Sequence, residues 1–295
     1  DEMAEIARGA GIPVERVAAL NARTEILAAC RTGAPGECSA LVVLRGADGP
    51  VAIQTWDWHE ELAGAWHVRT IERPDGRIVS TMTEHGIVGK IGVSSAGIGT
   101  LFTILEHASD GGPVGVPVHV VARRILDEAA DLDDAIAIAE EAAVSASTSI
   151  TVVSTAGDEP RAASIELYPG GPARVDPDRD GVLAHTNHFL APGPAAADTG
   201  ADADSIGRLA QLRRGVETLA RPDLAAALAL LSSHAEGAPL CCHPEPQAPL
   251  GERYATLATV SLDVGRGTLT AFEGGPCAIA ETARQVAIGD SQTLA

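Results

Sequence analysis

The residues with the clearest chemical potential lie between Gly33 and Ala40, where a loop leads into Cys38. Glycine and proline interrupt regular structure before the cysteine, and the run that follows, residues 41–44, predicts a buried strand. A thiol at the start of a core strand suits an N-terminal nucleophile, because cleavage before Cys38 frees an α-amino group that can act as the base for that thiol. Taken alone, the stretch also fits an ordinary buried core cysteine, which is the commoner case.

Further motifs follow in a fixed order along the chain. With Cys38-Ser39 they are QTWDW at 54–58, TEHGIVGKIG at 83–92, SAG at 95–97, GVP at 115–117, HTNH at 185–188 and RYAT at 253–256. Together they resemble the isopenicillin N acyltransferase family (cysteine peptidase family C45), which includes hydrolases, from residue 21 to about residue 270. The resemblance implies an enzyme that cleaves its own chain and then transfers or hydrolyses acyl groups.

The resemblance implies that Cys38 is the nucleophile in both reactions. In self-cleavage, its thiol would attack the carbonyl of Glu37, and hydrolysis of the resulting thioester would separate the two residues. The penicillin-forming enzyme has glycine before the cysteine, whereas this chain has Glu37. Since glycine tolerates a strained peptide better, we expect the rate of cleavage, but not its chemistry, to differ.

Other positions match the family near the nucleophile. Asn187 would donate its side-chain amide to the oxyanion of the tetrahedral intermediate, and the backbone N–H of Ile104 would be the second donor. Asp57 and Arg253 would form a bidentate ion pair that holds the amine of Cys38, or else a purely structural ion pair. Ser147 matches a serine that would assist the amine or the acyl group.

Three other groups of residues invite different interpretations. The polar cluster at 21–25 is better explained by helix capping and ion pairs than by catalysis. Glycine-rich residues 86–99 lack the ending of a phosphate-binding loop, so tight backbone packing is expected. His185 and His188, and likewise the Cys241-Cys242-His243 run, lack a second pair of ligands close in sequence, so we expect neither a metal site nor a cofactor.

Composition limits the class of protein. The chain has 295 residues, of which 45% are hydrophobic, enough for one large core or two modest ones. Its net charge of −19 argues against nucleic acid or an anionic membrane as a partner and leaves a small-molecule substrate. The odd number of cysteines, five, does not suggest a disulfide framework.

A cytoplasmic location is the default expectation, although the sequence starts without Met and a leader could precede it. Lys90 as the only lysine, beside twenty arginines, suggests a GC-rich bacterial genome.

Hydrophobic patterning predicts an alternation of strand-rich and helix-rich regions. Strands are expected between residues 38 and 105, at 149–154, 162–168 and 182–187, and at 254–263 and 267–272. Helices are expected at 2–8, 14–20, 116–129, 132–142, 205–219 and 224–231, the helix at 205–219 capped by Asp204 or Ser205. Residues 191–203, rich in proline, alanine and glycine, are the best candidate for a linker.

This order indicates an α+β fold, and the resemblance implies its architecture: a four-layer α-β-β-α N-terminal-nucleophile hydrolase sandwich of two antiparallel sheets. We expect a single domain, with residues 1–37 as the N-terminal segment and 38–295 as the chain produced by self-cleavage, the two remaining associated. Homo-oligomers are compatible with the sequence.

The function that we expect is that of a self-processing amidohydrolase or acyltransferase, in which Cys38 takes the acyl group of a small amide or thioester and passes it to water or to an amine. Hydrolysis is favoured over penicillin synthesis, because the match lies in the catalytic frame and not in the loops that would select a β-lactam acceptor. A penicillin-V or bile-salt acylase is the alternative enzyme. A catalytically silent binding protein on the same scaffold is the alternative from another class.

Overall fold

A computed structural model of the protein describes residues 2–30, 38–219, 222–279 and 286–287. The helices are α1 (Glu2–Ala10), α2 (Val14–Asn21), α3 (Arg23–Cys30), α4 (Val118–Glu128), α5 (Leu132–Glu141), α6 (Pro192–Ala195), α7 (Ala203–Glu217) and α8 (Leu224–Leu231). The strands are β1 (Ser39–Val43), β2 (Val51–His59), β3 (Trp66–Glu72), β4 (Ile78–Glu84), β5 (Ile91–Ser94), β6 (Ile98–Ile104), β7 (Thr148–Ser154), β8 (Arg161–Leu167), β9 (Ala173–Val175), β10 (Val182–His185), β11 (Tyr254–Asp263), β12 (Thr268–Glu273) and β13 (Val286–Ala287).

The strands form two antiparallel sheets. One has six strands in the order β10-β1-β2-β11-β12-β13, and the other has seven in the order β3-β4-β5-β6-β7-β8-β9. The seven-stranded sheet is a meander in which each strand pairs with the next in sequence, whereas β1 of the first sheet lies between β2 and β10. The strand that follows Cys38 is therefore bordered by a strand on each side, and all of its residues are buried.

Helices cover the outer face of each sheet. Helices α4 and α5 pack on the seven-stranded sheet, α7 and α8 pack on the six-stranded sheet, and the two sheets face each other. The core between the sheets consists of side chains such as Val42, Trp56, Met82, Phe102 and Val260. The predicted α+β class and its four α-β-β-α layers are confirmed.

Short polar signals set the ends of several elements. Asp131 and Asp223 cap α5 and α8 by accepting hydrogen bonds from backbone N–H groups of the first turn. Helix α7 is capped by Asp202, whose side chain accepts from Ser205 N, and not by Asp204 or Ser205 as the sequence predicted. Only Asp202 has the extended backbone that a capping residue requires.

Two regions depart from the sequence-based expectations. Residues 23–30 form helix α3, which was not predicted because its apolar residues form one consecutive run, at 26–30, without helical spacing. The expected linker at 191–203 is instead part of the packed body and contains α6. Ala191 N donates to Glu166 Oε2 at 3.0 Å, and Phe189 N donates to Asp198 Oδ2 at 2.7 Å, so this segment is attached to the body at its start and at Asp198.

The N-terminal helices are fastened to the body through polar contacts. Glu25 Oε1 accepts a hydrogen bond from Val118 N at the start of α4, at 2.8 Å, and Arg23 forms an ion pair with Glu84. Asn21 accepts from Val88 N at 2.9 Å. The capping and ion-pair role predicted for residues 21–25 is thus confirmed. No helix in the described part of the chain combines the length and hydrophobicity that a membrane span requires.

Candidate active site

Cys38 lies immediately before β1 and is buried, with its main chain held at both ends. Its backbone N donates to Asn187 Oδ1 at 2.8 Å, and its carbonyl oxygen accepts from Arg208 Nη1 at 2.8 Å. The two partners come from regions distant in sequence, one just after β10 and the other from α7. The fold therefore fixes the backbone of this residue more tightly than a plain core cysteine requires. The predicted cleavage partner, Glu37, lies outside the described residues.

Arg208 is the main site residue that the sequence reasoning missed. Its guanidinium donates also to Ser39 Oγ at 3.1 Å and to Asn187 Oδ1 at 3.0 Å, and it pairs with Asp204 at 2.7 Å. A bridge of this kind needs the several donors of a guanidinium.

A signal for this arginine did exist in the sequence. Arg208 is only 1% exposed and occupies a position in the buried stripe of α7 formed with Ser205, Leu209, Leu212 and Val216. A charged residue in an otherwise inward-facing stripe indicates a buried partner.

The surroundings of the thiol keep it protonated. Burial and, after it, the nearby Asp57 carboxylate raise the pKa of Cys38, and the result is about 11 even though Lys90, a hydrogen bond from the Asp57 backbone and Arg208 lower it. A thiol with such a pKa is almost entirely neutral near pH 7. It therefore needs a neighbouring base before it can act as a nucleophile.

Lys90, whose charge acts on the Cys38 thiol, forms a buried ion pair with Glu84. Its ammonium is 3.4 Å from Glu84 Oε2 and 4.1 Å from the centre of the Trp56 ring. Burial alone would raise the pKa of Glu84, but Lys90 and Arg23 outweigh it and lower that pKa to about 2. The positive charge near Cys38 is thus held in place by a carboxylate that stays ionised.

The two expected oxyanion donors, Asn187 and Ile104, lie side by side. Asn187 Nδ2 donates to the carbonyl oxygen of Ile104 at 3.0 Å, in the last residue of β6. Leu105 N donates to Ser147 O, so the backbone N–H and C=O groups of odd-numbered residues point toward β7 at this end of β6. In an antiparallel strand the N–H and C=O of the intervening residue point the other way, so the Ile104 N–H faces the same side as Asn187.

The same alternation is visible two residues earlier in β6. Phe102 N donates to Gln54 Oε1 at 2.7 Å, and Gln54 Nε2 donates back to the Phe102 carbonyl. Gln54 is fully buried and joins the two sheets at this point. Its role was not foreseen, although it lies three residues before Asp57 in a predicted motif.

A cavity of about 270 Å³ opens beside Ile104, and its lining includes neither Asn187 nor Cys38. Ile104 and Ser147 contribute to its wall, together with Trp58, Glu106 and Asp110. Ser147 Oγ donates to Asp110 Oδ1 at 2.7 Å. Burial raises the pKa of both Glu106 and Asp110, and the pKa of Glu106 is raised further by neighbouring carboxylates. The volume is slightly below the roughly 300–1,000 Å³ typical of small-molecule pockets.

The structure does not bring Arg253 to Asp57. Arg253 is half-exposed, donates to the carbonyl of Ala248 at 2.8 Å and lies 3.7 Å from Glu60. Asp57 is fully buried, with the thiol of Cys242 at 3.8 Å from its Oδ2. The expected ion pair is therefore wrong, because Arg253 precedes β11 at the outer end of β2, and Thr256 is the residue opposite Asp57.

The rings of His185 and His188 form hydrogen bonds with protein side chains. His185 Nε2 lies 2.8 Å from Glu166 Oε1, and His188 Nδ1 lies 2.8 Å from Ser205 Oγ. In the described residues, these histidines do not belong to a group of ligands suited to a metal ion, whereas the Cys241–His243 loop does. The argument from spacing against a metal at that loop does not hold, since the fold supplies the second pair.

The arrangement around Cys38 can support acyl transfer. It combines a thiol, a main-chain nitrogen of the same residue that donates to a side-chain amide, two donors on one side and a small cavity lined by one of those donors, Ile104. These are the elements needed for covalent catalysis through a tetrahedral intermediate.

Comparison with known proteins agrees with this geometry. The sequence profile of the acyl-coenzyme A:6-aminopenicillanic acid acyl-transferase family matches residues 44–276. The chain is also 30% identical over 212 residues to the acyl-coenzyme A:6-aminopenicillanic-acid-acyltransferase 40 kDa form of Emericella nidulans. That match includes 70% of this chain and 57% of the fungal protein, so the chain spans a little over half the length of this relative.

Solved structures of similar fold include an acid amidase, a bile acid hydrolase and a penicillin V acylase. The N-acylethanolamine-hydrolyzing acid amidase ortholog of Caenorhabditis elegans is 15% identical with a TM-score of 0.53, over 77% of this chain and 93% of that one. A mutant form of the conjugated bile acid hydrolase of Clostridium perfringens is 12% identical with a TM-score of 0.57, over 80% and 89%. The penicillin V acylase of Agrobacterium tumefaciens is 14% identical with a TM-score of 0.53, over 80% and 83%. At this identity they establish the fold alone, and that fold is the expected sandwich of two antiparallel sheets.

Proposed function

Since the chain belongs to the acyl-coenzyme A:6-aminopenicillanic acid acyltransferase family, we propose that it is a self-cleaving cysteine hydrolase or acyltransferase. It accepts the acyl group of a small N-acyl amide on Cys38 and passes it to water or to an amine. One observation carries the proposal: the backbone nitrogen of Cys38 is held at 2.8 Å by Asn187, beside a thiol that needs a base.

The first reaction frees that nitrogen. The Cys38 thiol attacks the carbonyl carbon of Glu37, the peptide C–N bond breaks as the C–S bond forms, and the nitrogen takes the thiol proton. Water then hydrolyses the thioester and leaves a carboxylate on Glu37 and an α-amino group on Cys38. Residues 2–30 remain attached afterwards through contacts such as Glu25 to Val118, so the two chains form one body.

The freed amine supplies the missing base. Its reference pKa is about 8, roughly three units below that of the buried thiol, and it belongs to the same residue. It can accept the thiol proton as sulfur attacks the substrate carbonyl and later return a proton to the leaving amine. The buried Asp57, whose negative charge reaches the thiol, favours the protonated amine during this exchange.

The developing oxyanion would lie between Asn187 and Ile104. The Asn187 side-chain amide and the Ile104 N–H are directed to the same region, and donors of this type are worth roughly 3–4 kcal/mol of the barrier. Arg208 acts as a positioning residue, because it fixes both the carbonyl of Cys38 and the Oδ1 of Asn187. Arg253 has no part in this proposed chemistry, because its guanidinium pairs with Glu60 and the carbonyl of Ala248.

The cavity favours a small substrate. Its volume of about 270 Å³ suits a short acyl or amine group better than a steroid, and Ser147 with Asp110 offers a polar contact on its wall. Hydrolysis is the favoured outcome, since water needs no acceptor site of its own.

Trapping the acyl group on the protein tests this function. The wild type would be incubated with β-alanyl amides, penicillins and acyl-homoserine lactones, quenched in acid and digested for mass spectrometry. We expect an acyl adduct on the peptide that contains Cys38, absent in Cys38→Ala and retained in Cys30→Ser, whose cysteine is exposed on α3. Turnover by Cys38→Ala, or an adduct on another residue only, would contradict the proposal.

A further inference from the structure

Four side chains with metal-binding atoms lie close together near the C-terminal end of α8. They are His234, Cys241, His243 and Cys277, and their ligand atoms all lie within 4.8 Å of one another. Cys241 is buried and the other three are exposed, so the group is open to solvent on one side. We refer to it as the Cys/His cluster.

The distances within the cluster are close to those of a tetrahedral site. Sγ of Cys241 lies 3.5 Å from Sγ of Cys277, and Nε2 of His243 lies 3.8 Å and 3.4 Å from these two sulfur atoms. The Nε2 atoms of His234 and His243 are 3.0 Å apart. With Zn–S near 2.3 Å and Zn–N near 2.0–2.1 Å, tetrahedral ligands are separated by about 3.3–3.8 Å.

The chain is shaped to bring these atoms together. His234 follows α8, Cys241 and His243 lie on the next loop, and Cys277 lies in a short 3-10 helix (Pro276–Ala278) that packs against α8. Gly275 allows this approach, because a Cβ at that position would lie 2.3 Å from Sγ of Cys241. Cys241 N donates to the carbonyl of Ser233 at 3.1 Å, which ties the loop to the residue beside His234.

We propose that the Cys/His cluster binds one Zn²⁺ ion through the two thiolates and the two Nε2 atoms. Binding releases the two thiol protons, so that the ion and its ligands carry no net charge. Because all four positions are taken by protein, the ion has a structural role and activates no water. Thiolate and imidazole ligands in a tetrahedron suit Zn²⁺ rather than Mg²⁺ or Ca²⁺, which prefer oxygen.

The ion would stabilise the loop at residues 241–243, which packs against Asp57. Cys242, next to Cys241, turns the other way, and its Sγ lies 3.8 Å from Asp57 Oδ2. The same loop exchanges hydrogen bonds with β11, from Cys242 N to Thr256 Oγ1 at 2.9 Å and from Thr256 N to Cys242 O at 3.0 Å. A metal at the cluster would thus join the short helix at Pro276–Ala278 to the loop that covers Asp57.

Metal analysis of the full chain, purified under reducing conditions without a polyhistidine tag, tests the proposal. We expect about one zinc per chain in the wild type and in Cys30→Ser, which removes a cysteine outside the cluster. Cys277→Ser should lose most of the zinc. His243→Ala, an exposed position that keeps both cysteines, should weaken zinc binding at least tenfold while the chain stays folded by circular dichroism.

Cobalt replaces zinc as a spectroscopic probe. Co²⁺ added to the metal-free wild type should give the intense visible bands of a tetrahedral site and a thiolate charge-transfer band in the near ultraviolet, both absent in Cys277→Ser. A wild type without zinc and without these cobalt bands would overturn the proposal. A disulfide between Cys241 and Cys277 in freshly purified, reduced protein would overturn it as well. Both readouts are independent of enzymatic activity.

Discussion

Cys38 and Cys241 are both buried cysteines, but their neighbours differ in kind. Around Cys38, the protein binds the backbone nitrogen and oxygen and leaves the thiol beside Asp57 and Lys90. Around Cys241, a second thiol and two imidazoles converge on the sulfur itself. A nucleophile requires one sulfur whose own backbone is fixed, whereas a metal site requires several ligand atoms directed at one point.

Cys242 shows how closely the two regions approach. It is adjacent to Cys241 in sequence, yet its thiol faces the Asp57 side of the loop. The two adjacent thiols have different partners, Cys277 for Cys241 and Asp57 for Cys242, so a single loop can contribute to a metal cluster and to the wall of an active site. The comparison predicts that substitutions of residues around Cys38 leave the zinc content of the protein unchanged.

The largest effect is expected at Asn187. Asn187→Leu removes both the acceptor for Cys38 N and the donor to the oxyanion, and should lower kcat by about 10²–10³. Asn187→Asp keeps the acceptor and loses only the donor, so it should lower kcat to a similar extent while self-cleavage geometry is retained. Steady-state kinetics and zinc analysis of both variants check this, and near wild-type kcat in Asn187→Asp would exclude the oxyanion role.

The buried charges behind Cys38 should show in the pH dependence of stability. Lys90 and Arg23 lower the folded-state pKa of Glu84 from 4.5 to about 2, so its ionised form contributes stability above pH 4.5. That contribution, about 3 kcal/mol, is lost as the pH falls from 4.5 through 2. Glu84→Gln should therefore lower the free energy of unfolding at pH 7 and flatten its acid dependence. Urea unfolding at pH 7, 5 and 3 measures both, and parallel curves for the two proteins would refute the pairing.

A smaller effect is expected at Arg208. Lysine cannot bridge Cys38, Ser39 and Asn187 at once, so Arg208→Lys should lower kcat roughly tenfold to thirtyfold with little change in KM. Arg266→Lys is the matched control, because Arg266 is exposed and pairs with Asp263 on the surface. A change in KM alone, or equal effects in the two variants, would show that Arg208 does not position the nucleophile.

Much of the fold was predictable because its signals are local. Turns such as 74–76 and 94–97 separate strands of clear pattern, and β3-β4 and β5-β6 form hairpins at those positions. Helix α3 was missed, since its apolar residues lack helical spacing and its stability comes from contacts such as Arg23 with Glu84. Tertiary contacts of this kind leave no trace in a short window of sequence.

The sequence predicted the parts of the site in which a single residue of a motif has the role, and not the parts that depend on contacts between distant segments. Cys38, Asn187 and Ile104 lie together as expected, whereas the proposed partner of Asp57 was wrong because a distant arginine was chosen by resemblance and not by contact. Arg208 and the Cys/His cluster depend on segments up to 170 residues apart in sequence. Their convergence follows from the packing of α7 and α8 on the six-stranded sheet, which sequence spacing does not reveal.

The most direct test of the central claim is the denatured mass and N-terminal sequence of active, purified protein. The account predicts two chains, the larger beginning at Cys38 with a free α-amino group, and a single uncut chain for Cys38→Ala. Active protein in which Cys38 is still joined to Glu37 by a peptide bond would contradict it, because the proposed base would not exist.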